Sequence, residues 1–261
     1  MITSLTLALL LLAPPASPTK ASPEPKLRNP DEILADYVKA IGGADALNKI
    51  KSLHLKRKLE VKGMQFTGTE ERSATAAGQL LVVMEITGVT KARQGTDGKV
   101  QWSDDQIFGL RILGGAEEEE ARIDSTWNSD LHLKELYQKL RSVPPPEPTG
   151  GRSWECVEMT PKLGKPATSC YDAATHLRTL QTGIRATPQG ETPVRATFSD
   201  WRTVKGVKVP WIEELTMGPV TMIARVSELK FDEKFPPKLF ALPKAARDSK
   251  PGKPAAEAPK K

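Results

Sequence analysis

The chain has 261 residues, a formal net charge of +6 and 38% hydrophobic residues. Its length allows one large or two small domains. The positive charge is concentrated near the ends, because residues 244–261 hold six basic and two acidic side chains and Lys20 adds another cation. The remaining chain is nearly neutral. Nucleic-acid binding requires a basic face on the folded domain itself, so this charge distribution argues against a nucleic-acid partner.

The two ends also differ from the centre in composition. Residues 2–13 form an apolar run that is too short to span a bilayer and is followed by small residues and three prolines. This pattern is typical of a secretory signal peptide, whereas a buried helix would be ended by those prolines. The C-terminal Lys/Pro/Ala segment is a solvated end or a contact for an anionic surface. The sequence therefore predicts a signal peptide at 1–21, a flexible spacer at 22–30, one folded domain at 31–243 and a disordered tail at 244–261.

Two short helices are predicted at the start of the folded domain. Asn29, Pro30 and Asp31 provide a capping side chain, a proline in the first turn and an acid at the positive end of the helix dipole. An apolar stripe at helical spacing continues to Ile41, and a second short helix follows at 44–50.

Alternating patterns predict strands over the rest of the first half. From Ser52 to Ser103 the hydrophobic period is two, and Thr96-Asp97-Gly98 is a strong hairpin signal. Arg57 is an exception, since it falls on the apolar face of the first of these strands. The segment 116–140 then begins with acidic residues and has an apolar helical face at 131–140, so we expect a helical insertion between strands.

The two cysteines are predicted to form a structural disulfide. Cys156 and Cys170 each lie in an alternating segment, and the connection between them contains Pro161, Gly164 and Pro166. A hairpin of these two strands would place the thiols close together, and an exported protein meets an oxidising compartment. No further metal ligand lies at short spacing, so a metal site is not indicated.

The most regular strand pattern lies between Val194 and Phe231. Three alternating segments are separated by Lys205-Gly206 and Gly218-Pro219, which predicts an antiparallel meander of three long strands. Glu213 interrupts the apolar face of the second strand. For the whole domain we expect the α+β class: ten or eleven antiparallel strands in a single large curved sheet, an incomplete or half β-barrel, with helices covering the concave side.

No catalytic constellation or cofactor motif is recognisable in the sequence. His54, His132 and His176 are far apart and none has a second ligand at metal spacing, and Glu117–Glu120 is typical of a solvated helix start. Nucleophile and phosphate-binding motifs are absent. We therefore expect no enzymatic activity, no metal and no cofactor, since a hydrolase would need a clustered nucleophile and base.

Apolar side chains provide the remaining functional signal. A curved sheet beneath a helical cover can enclose a cleft for an acyl chain or another apolar ligand, although core packing would explain most of the same residues. The candidates for lining such a cavity are Met64, Phe66, Met84, Trp102, Phe108, Leu110, Trp127, Tyr137, Phe198 and Trp211.

Four segments resemble the outer-membrane lipoprotein-sorting proteins of Gram-negative bacteria, which are similar in fold to the periplasmic carrier LolA and its receptor LolB. They are YVKAIGG at 37–43, GTDGKVQW at 95–102, LKELY at 133–137 and FSDWRTVKGVKVPW at 198–211. The resemblance implies a half-open β-barrel, closed by helices, that holds lipid or lipoprotein acyl chains in a hydrophobic cavity. It supplies no catalytic residue and no defined acyl-binding motif, and the cysteine pair and the C-terminal tail depart from the family pattern.

Together these patterns predict a monomeric, soluble periplasmic protein that binds lipid or lipoprotein acyl chains in a hydrophobic cavity. A membrane-associated donor or acceptor protein is an expected partner. The alternative is a non-catalytic envelope scaffold or protein-interaction module without lipid cargo.

Overall fold

The structure, a computed structural model, describes residues 27–147, 150–236 and 238–246. The predicted signal peptide and most of the predicted C-terminal tail lie outside the described residues. The helices are α1 Pro30–Ala40, α2 Gly43–Lys49, α3 Gly115–Ser125 and α4 Leu133–Leu136, with 3₁₀ turns at Ser129–Leu131 and Lys244–Ala246. The strands are β1 Ser52–Val61, β2 Thr67–Thr75, β3 Leu80–Ile86, β4 Thr90–Thr96, β5 Gln101–Asp105, β6 Gly109–Ile112, β7 Tyr137–Val143, β8 Trp154–Pro161, β9 Ala167–Asp172, β10 Arg178–Thr187, β11 Gly190–Val204, β12 Val207–Met217 and β13 Val220–Phe231.

These thirteen strands form one antiparallel sheet, in the order β6-β5-β4-β3-β2-β1-β13-β12-β11-β10-β9-β8-β7. Two meanders, β1 to β6 and β7 to β13, are joined where β1 pairs with β13. The sheet is not closed, because β6 and β7 are its two edges. The predicted fold class is confirmed, as is the meander of β11, β12 and β13. The strand count exceeds the expected ten or eleven because β6 and β7 were not predicted.

The connection between the two edge strands, residues 113–136, is here called the strap. It contains α3, a 3₁₀ turn and α4, and contacts both halves of the sheet through β5 and β10. The predicted helix at 131–140 is wrong from Tyr137 onward. Its second half is strand β7, where Leu140 lies opposite Met159 of β8. Pairing with β8 overrides the helical spacing of the leucines, as tertiary context commonly does for short segments.

Helices α1 and α2 lie over one end of the concave face. The Asn29 side chain accepts a hydrogen bond from the Asp31 amide at 2.9 Å, as the predicted helix start requires. The apolar stripe of α1 is buried in one core cluster with β8 and β9, including Tyr37, Val157 and Tyr171. The Lys208 amide donates to the Ile41 carbonyl at 2.8 Å, which joins the end of α1 to β12.

The disulfide between Cys156 and Cys170 is confirmed. The two residues lie directly opposite each other on β8 and β9, and the bond is buried with Leu180. Val157, the next residue along β8, belongs instead to the core beneath α1. Because successive side chains of a strand point to opposite faces, the disulfide lies on the face of the sheet away from the helices.

We predict that replacing both cysteines with alanine lowers the free energy of unfolding by about 3 kcal/mol, the chain-entropy value for a loop of this length. Urea unfolding of the variant and of the wild type, with and without a reductant, measures the effect. Reductant should destabilise the wild type to a similar degree and leave the variant unchanged. Equal urea midpoints for the variant and the oxidised wild type would contradict the prediction.

The junction of α1 and α2 allows a second test. A Cβ atom on Gly42 would collide with the carbonyl oxygen of Gly206 in the β11–β12 turn, whereas a Cβ on Gly43 would meet no atom within 4 Å. Both glycines have positive φ. We expect Gly43→Ala to cost about 1–2 kcal/mol through backbone strain. Gly42→Ala should cost roughly 1–2 kcal/mol more, because the helices must also shift. Equal unfolding midpoints for the two variants would show that this helix contact is not tight.

Candidate functional site

A cavity lies between the concave face of the sheet, helices α1 and α2, and the strap. It has an inner part of about 530 Å³ beneath the helices and an outer part of about 330 Å³. Eleven residues line both parts, so the two parts adjoin each other. Its total size falls in the range of pockets that hold small organic ligands.

Apolar side chains make up much of the cavity wall. The inner part is lined from the sheet by Leu53, Leu55, Val209, Val226, Leu229 and Phe231. The outer part is lined by Val82, Ile184, Val194, Ala196, Leu215 and Met217. The expectation of a hydrophobic hollow therefore describes only part of the wall, because charged residues also face this space.

The outer part of the cavity reaches the end of the sheet opposite α1 and α2. Strand directions place six hairpin turns at this end: 62–66, 87–89, 106–108, 162–166, 188–189 and 218–219. Eight of the nine large apolar side chains that are exposed among the described residues lie in or beside these turns: Met64, Phe66, Val89, Ile107, Leu163, Ile184, Met217 and Val220. We call this end the apolar rim. Ile184 and Met217 belong both to the rim and to the cavity lining.

The first charged group in the cavity is centred on Arg57. Its guanidinium donates to Glu70 at 2.6 Å and to Glu213 at 2.5 Å, and all three side chains are largely buried. Burial alone would lower the pKa of Arg57, but Glu213 and Glu70 outweigh it and raise that pKa. The group is fully paired and carries one net negative charge.

A second charged group attaches the strap to the sheet. Arg185 of β10 pairs with Asp124 of α3 at 2.5 Å, and the Ala186 amide donates to Glu120 at 3.0 Å. Burial raises the pKa of Glu120, while the negative charge of Asp124 raises the pKa of Arg185. The backbone of Asp124 also accepts a hydrogen bond from Arg72 at 2.8 Å. These contacts fix α3 across the centre of the cavity.

The third cation, Arg178 of β10, lies at the inner end. Its guanidinium lies 4.6 Å from the ring centre of Phe198 and 5.7 Å from that of Tyr37. A register shift between β9 and β10 leaves Thr179 as an extra residue, so Arg178 and Gln181 both face the cavity while Leu180 packs with the disulfide. Bulges of this kind redirect side chains and are frequent next to functional sites.

Three of the ten residues expected to line a cavity do line it: Trp127, Tyr137 and Phe198. Burial raises the pKa of Tyr137 to about 12, so its hydroxyl is neutral at physiological pH. The other seven are outside the lining. Met64 and Phe66 are exposed on the rim, and Met84 packs with Leu59 and Ile86. Trp102 is buried in β5, Phe108 lies in the β5–β6 turn and Leu110 lies in β6. Trp211 stacks against Arg202.

Several lining residues had no role in the sequence interpretation. In the sequence, Arg57 and Glu213 each interrupt an apolar face. Two such interruptions of opposite charge are the signal that could indicate a buried ion pair. Arg178 gave no such signal, because the bulge at Thr179 breaks the two-residue period that assigns faces. Tyr37 belongs to α1 and also lines the inner part of the cavity.

The described residues contain no group of three histidine, cysteine, aspartate or glutamate side chains that could hold a metal ion. The three histidines stay apart: His54 contacts Ser73 and Glu71, and His132 contacts Glu135. Within the same part of the chain, no helix is long and apolar enough to cross a membrane.

Comparison with solved structures identifies the fold. A DUF1329 family protein from Desulfovibrio piger superposes with a TM-score of 0.52 at 13% identity, covering 82% of this chain and 98% of its own. An outer-membrane lipoprotein-sorting protein domain from Vibrio parahaemolyticus gives 0.51 at 10% identity, covering 80% and 95%. A LolA superfamily protein from Nitrosomonas europaea gives 0.52 at 9% identity, covering 81% and 97%.

These three structures show that the chain has a LolA-like fold, which confirms the resemblance noted in the sequence. No protein-family model matches the sequence, and no curated protein matches it. At such low identity the likeness concerns the fold alone.

The strap contact yields a prediction. Asp124→Asn removes the charge that pairs with Arg185. Because both side chains are about 38% exposed, we expect the free energy of unfolding to fall by about 1–2 kcal/mol. Hydrogen exchange of the α3 amides should become faster. Asp104→Asn, which breaks the pair with Arg93 on β4, is the matched control and should leave α3 exchange unchanged. Unaltered α3 exchange in Asp124→Asn would show that the pair does not hold the strap.

Proposed function

We propose that this chain is a periplasmic binding or carrier protein that holds lipid, or the acyl chains of a lipoprotein, in the cavity beneath the strap. Function consists of binding and release, without a chemical reaction. The observation that carries the proposal is the pair of adjoining cavity parts between the helices and the apolar rim, each with apolar side chains in its wall.

The physical reasons concern desolvation. Moving an alkyl chain from water into such a wall is favourable by about 0.8 kcal/mol for each buried methylene group. The guanidiniums of Arg57 and Arg185 are already paired with carboxylates, so neither presents an unpaired cation to the alkyl chain. The apolar rim supplies a route of entry on which an alkyl chain stays in contact with Met217 and then Leu215.

The fold supports the same reading by analogy. The Vibrio parahaemolyticus domain with this fold is described as an outer-membrane lipoprotein-sorting protein. Fold alone does not determine function, so the analogy supports the class of activity and leaves the cargo to experiment. Export of the chain follows from the predicted signal peptide.

The apolar rim also favours a second candidate function. Exposed apolar side chains concentrated at one end of a protein mark interaction surfaces. A scaffold or interaction module of the cell envelope would use the rim to contact another protein and leave the cavity without cargo.

A cavity-filling substitution separates these candidates. Val82 of β3 lines the outer part of the cavity, and Val83 points to the opposite face of the same strand. We expect Val82→Trp to weaken binding of a neutral fluorescent acyl-chain probe by at least tenfold, because the indole occupies the space of the alkyl chain. Val83→Trp is the matched control and should bind the probe as the wild type does.

The same two variants are then purified from the native host compartment and extracted with organic solvent. Lipid should be recovered from the wild type and Val83→Trp, and be depleted in Val82→Trp. If extracts of all three proteins are clean and no probe binds the wild type, the carrier proposal fails and the interaction module remains.

A further inference from the structure

Arg178 differs from Arg57 and Arg185, the two paired arginines of the cavity, in having no carboxylate partner. Among the described residues, no carboxylate lies within ion-pair distance of it, and its Nε atom is buried without a hydrogen-bond acceptor. By contrast, Arg57 holds two carboxylates and Arg185 holds Asp124. The nearest acids are already engaged, since Glu213 pairs with Arg57 and Asp130 accepts from the Tyr37 hydroxyl at 3.4 Å.

The two aromatic rings compensate Arg178 only in part. Phe198 and Tyr37 place their π-systems beside the guanidinium, a contact that stabilises a cation but accepts no in-plane N–H donor. Burial would lower the pKa of Arg178, but its surroundings, chiefly Tyr37 and Asp130, outweigh burial and raise that pKa. The guanidinium therefore stays charged. A charged guanidinium with unused donors lies at the inner end of a cavity. Such donors are best satisfied by a planar or tetrahedral anion that can accept two hydrogen bonds.

The two parts of the cavity differ in a way that orients a ligand. Arg178 lines the inner part and is absent from the lining of the outer part. In the outer part the guanidiniums of Arg57 and Arg185 are paired with carboxylates, and apolar side chains such as Val82 and Met217 form other stretches of the wall. An amphiphile bound with its anionic group at Arg178 would extend its alkyl chain toward the apolar rim. The reverse orientation would leave the guanidinium unpaired and bury an alkyl chain against it.

We propose that Arg178 is the anion-binding residue of the cavity and selects a single-chain amphiphile with a terminal carboxylate or phosphate, bound with the anionic end innermost. This inference rests on the proposed lipid-binding function and narrows it. The ester- and amide-linked acyl chains of a lipoprotein carry no free acid to reach Arg178. The cargo is therefore a free fatty acid or a long-chain phosphate.

Competition binding tests the selectivity. A neutral fluorescent probe bound to the full chain is displaced by four molecules: hexadecanoic acid, hexadecyl phosphate, hexadecanol, and inorganic phosphate as an anion without an alkyl chain. The acid and the alkyl phosphate should bind at least tenfold tighter than the alcohol, and inorganic phosphate should not displace the probe. The comparison of acid with phosphate then identifies the preferred anionic group.

Variants of Arg178 assign the effect to this residue. Arg178→Gln should remove the difference between the acid and the alcohol while leaving alcohol affinity unchanged, and Arg178→Lys should retain part of it. Arg225→Gln is the matched control, because Arg225 is an exposed arginine on β13 that does not line the cavity. Thermal unfolding without ligand checks the fold. Arg178→Gln should be at least as stable as the wild type, because it removes a partly buried cation that no carboxylate pairs.

Three results would overturn the inference. The wild type could bind acid and alcohol equally, Arg178→Gln could weaken both by the same factor, or inorganic phosphate alone could compete. In the first two cases alkyl-chain binding survives, and with it the proposed function. If the neutral probe and all four molecules fail to bind the wild type, the proposed function itself fails and this inference falls with it.

Discussion

The pairing of β1 with β13 is the contact on which the architecture depends. Each meander alone would be a sheet with two open edges, and their union through nine ladder positions makes one sheet of thirteen strands. A sheet of this width curls and does not stay flat. The curl leaves a concave face and two free edges, β6 and β7, which the chain joins directly through the strap.

The cavity follows from that connection. The strap runs from one edge to the other across the concave face, so space beneath it is enclosed unless side chains fill it. Close to β3, Leu59, Val61 and Ile86 do fill the concave face. Beneath α3 the wall instead carries arginines and carboxylates. Arg57 and Glu213 pair within the sheet, and the pair of Arg185 with Asp124 holds the strap at a fixed distance from it. Charged groups therefore keep the space open, in a position where apolar packing would close it.

The sequence predicted the parts of the fold that depend on local chemistry. Turns such as Lys205-Gly206 require positive φ, and both residues adopt it. Long alternating segments became the strands of the final meander, and the cysteines paired as opposed residues of one hairpin. Strand β7 was missed because its leucine spacing suits a helix equally well, and only pairing with β8 decides between them.

The site was less predictable for a related physical reason. Alternation assigns side chains to faces correctly only in an unbroken strand. The bulge at Thr179 interrupts the alternation, so the face of Arg178, which lines the cavity, could not be assigned from the sequence. Large apolar residues were natural candidates for a lipid site, yet Met64 and Phe66 lie at the rim, where exposed turns tolerate them. Arg57 and Glu213 each broke an apolar face by themselves. Two opposite charges that interrupt apolar faces of different strands are better explained as a buried ion pair than as two independent exceptions. A charged side chain is costly to bury unless an opposite charge pairs with it.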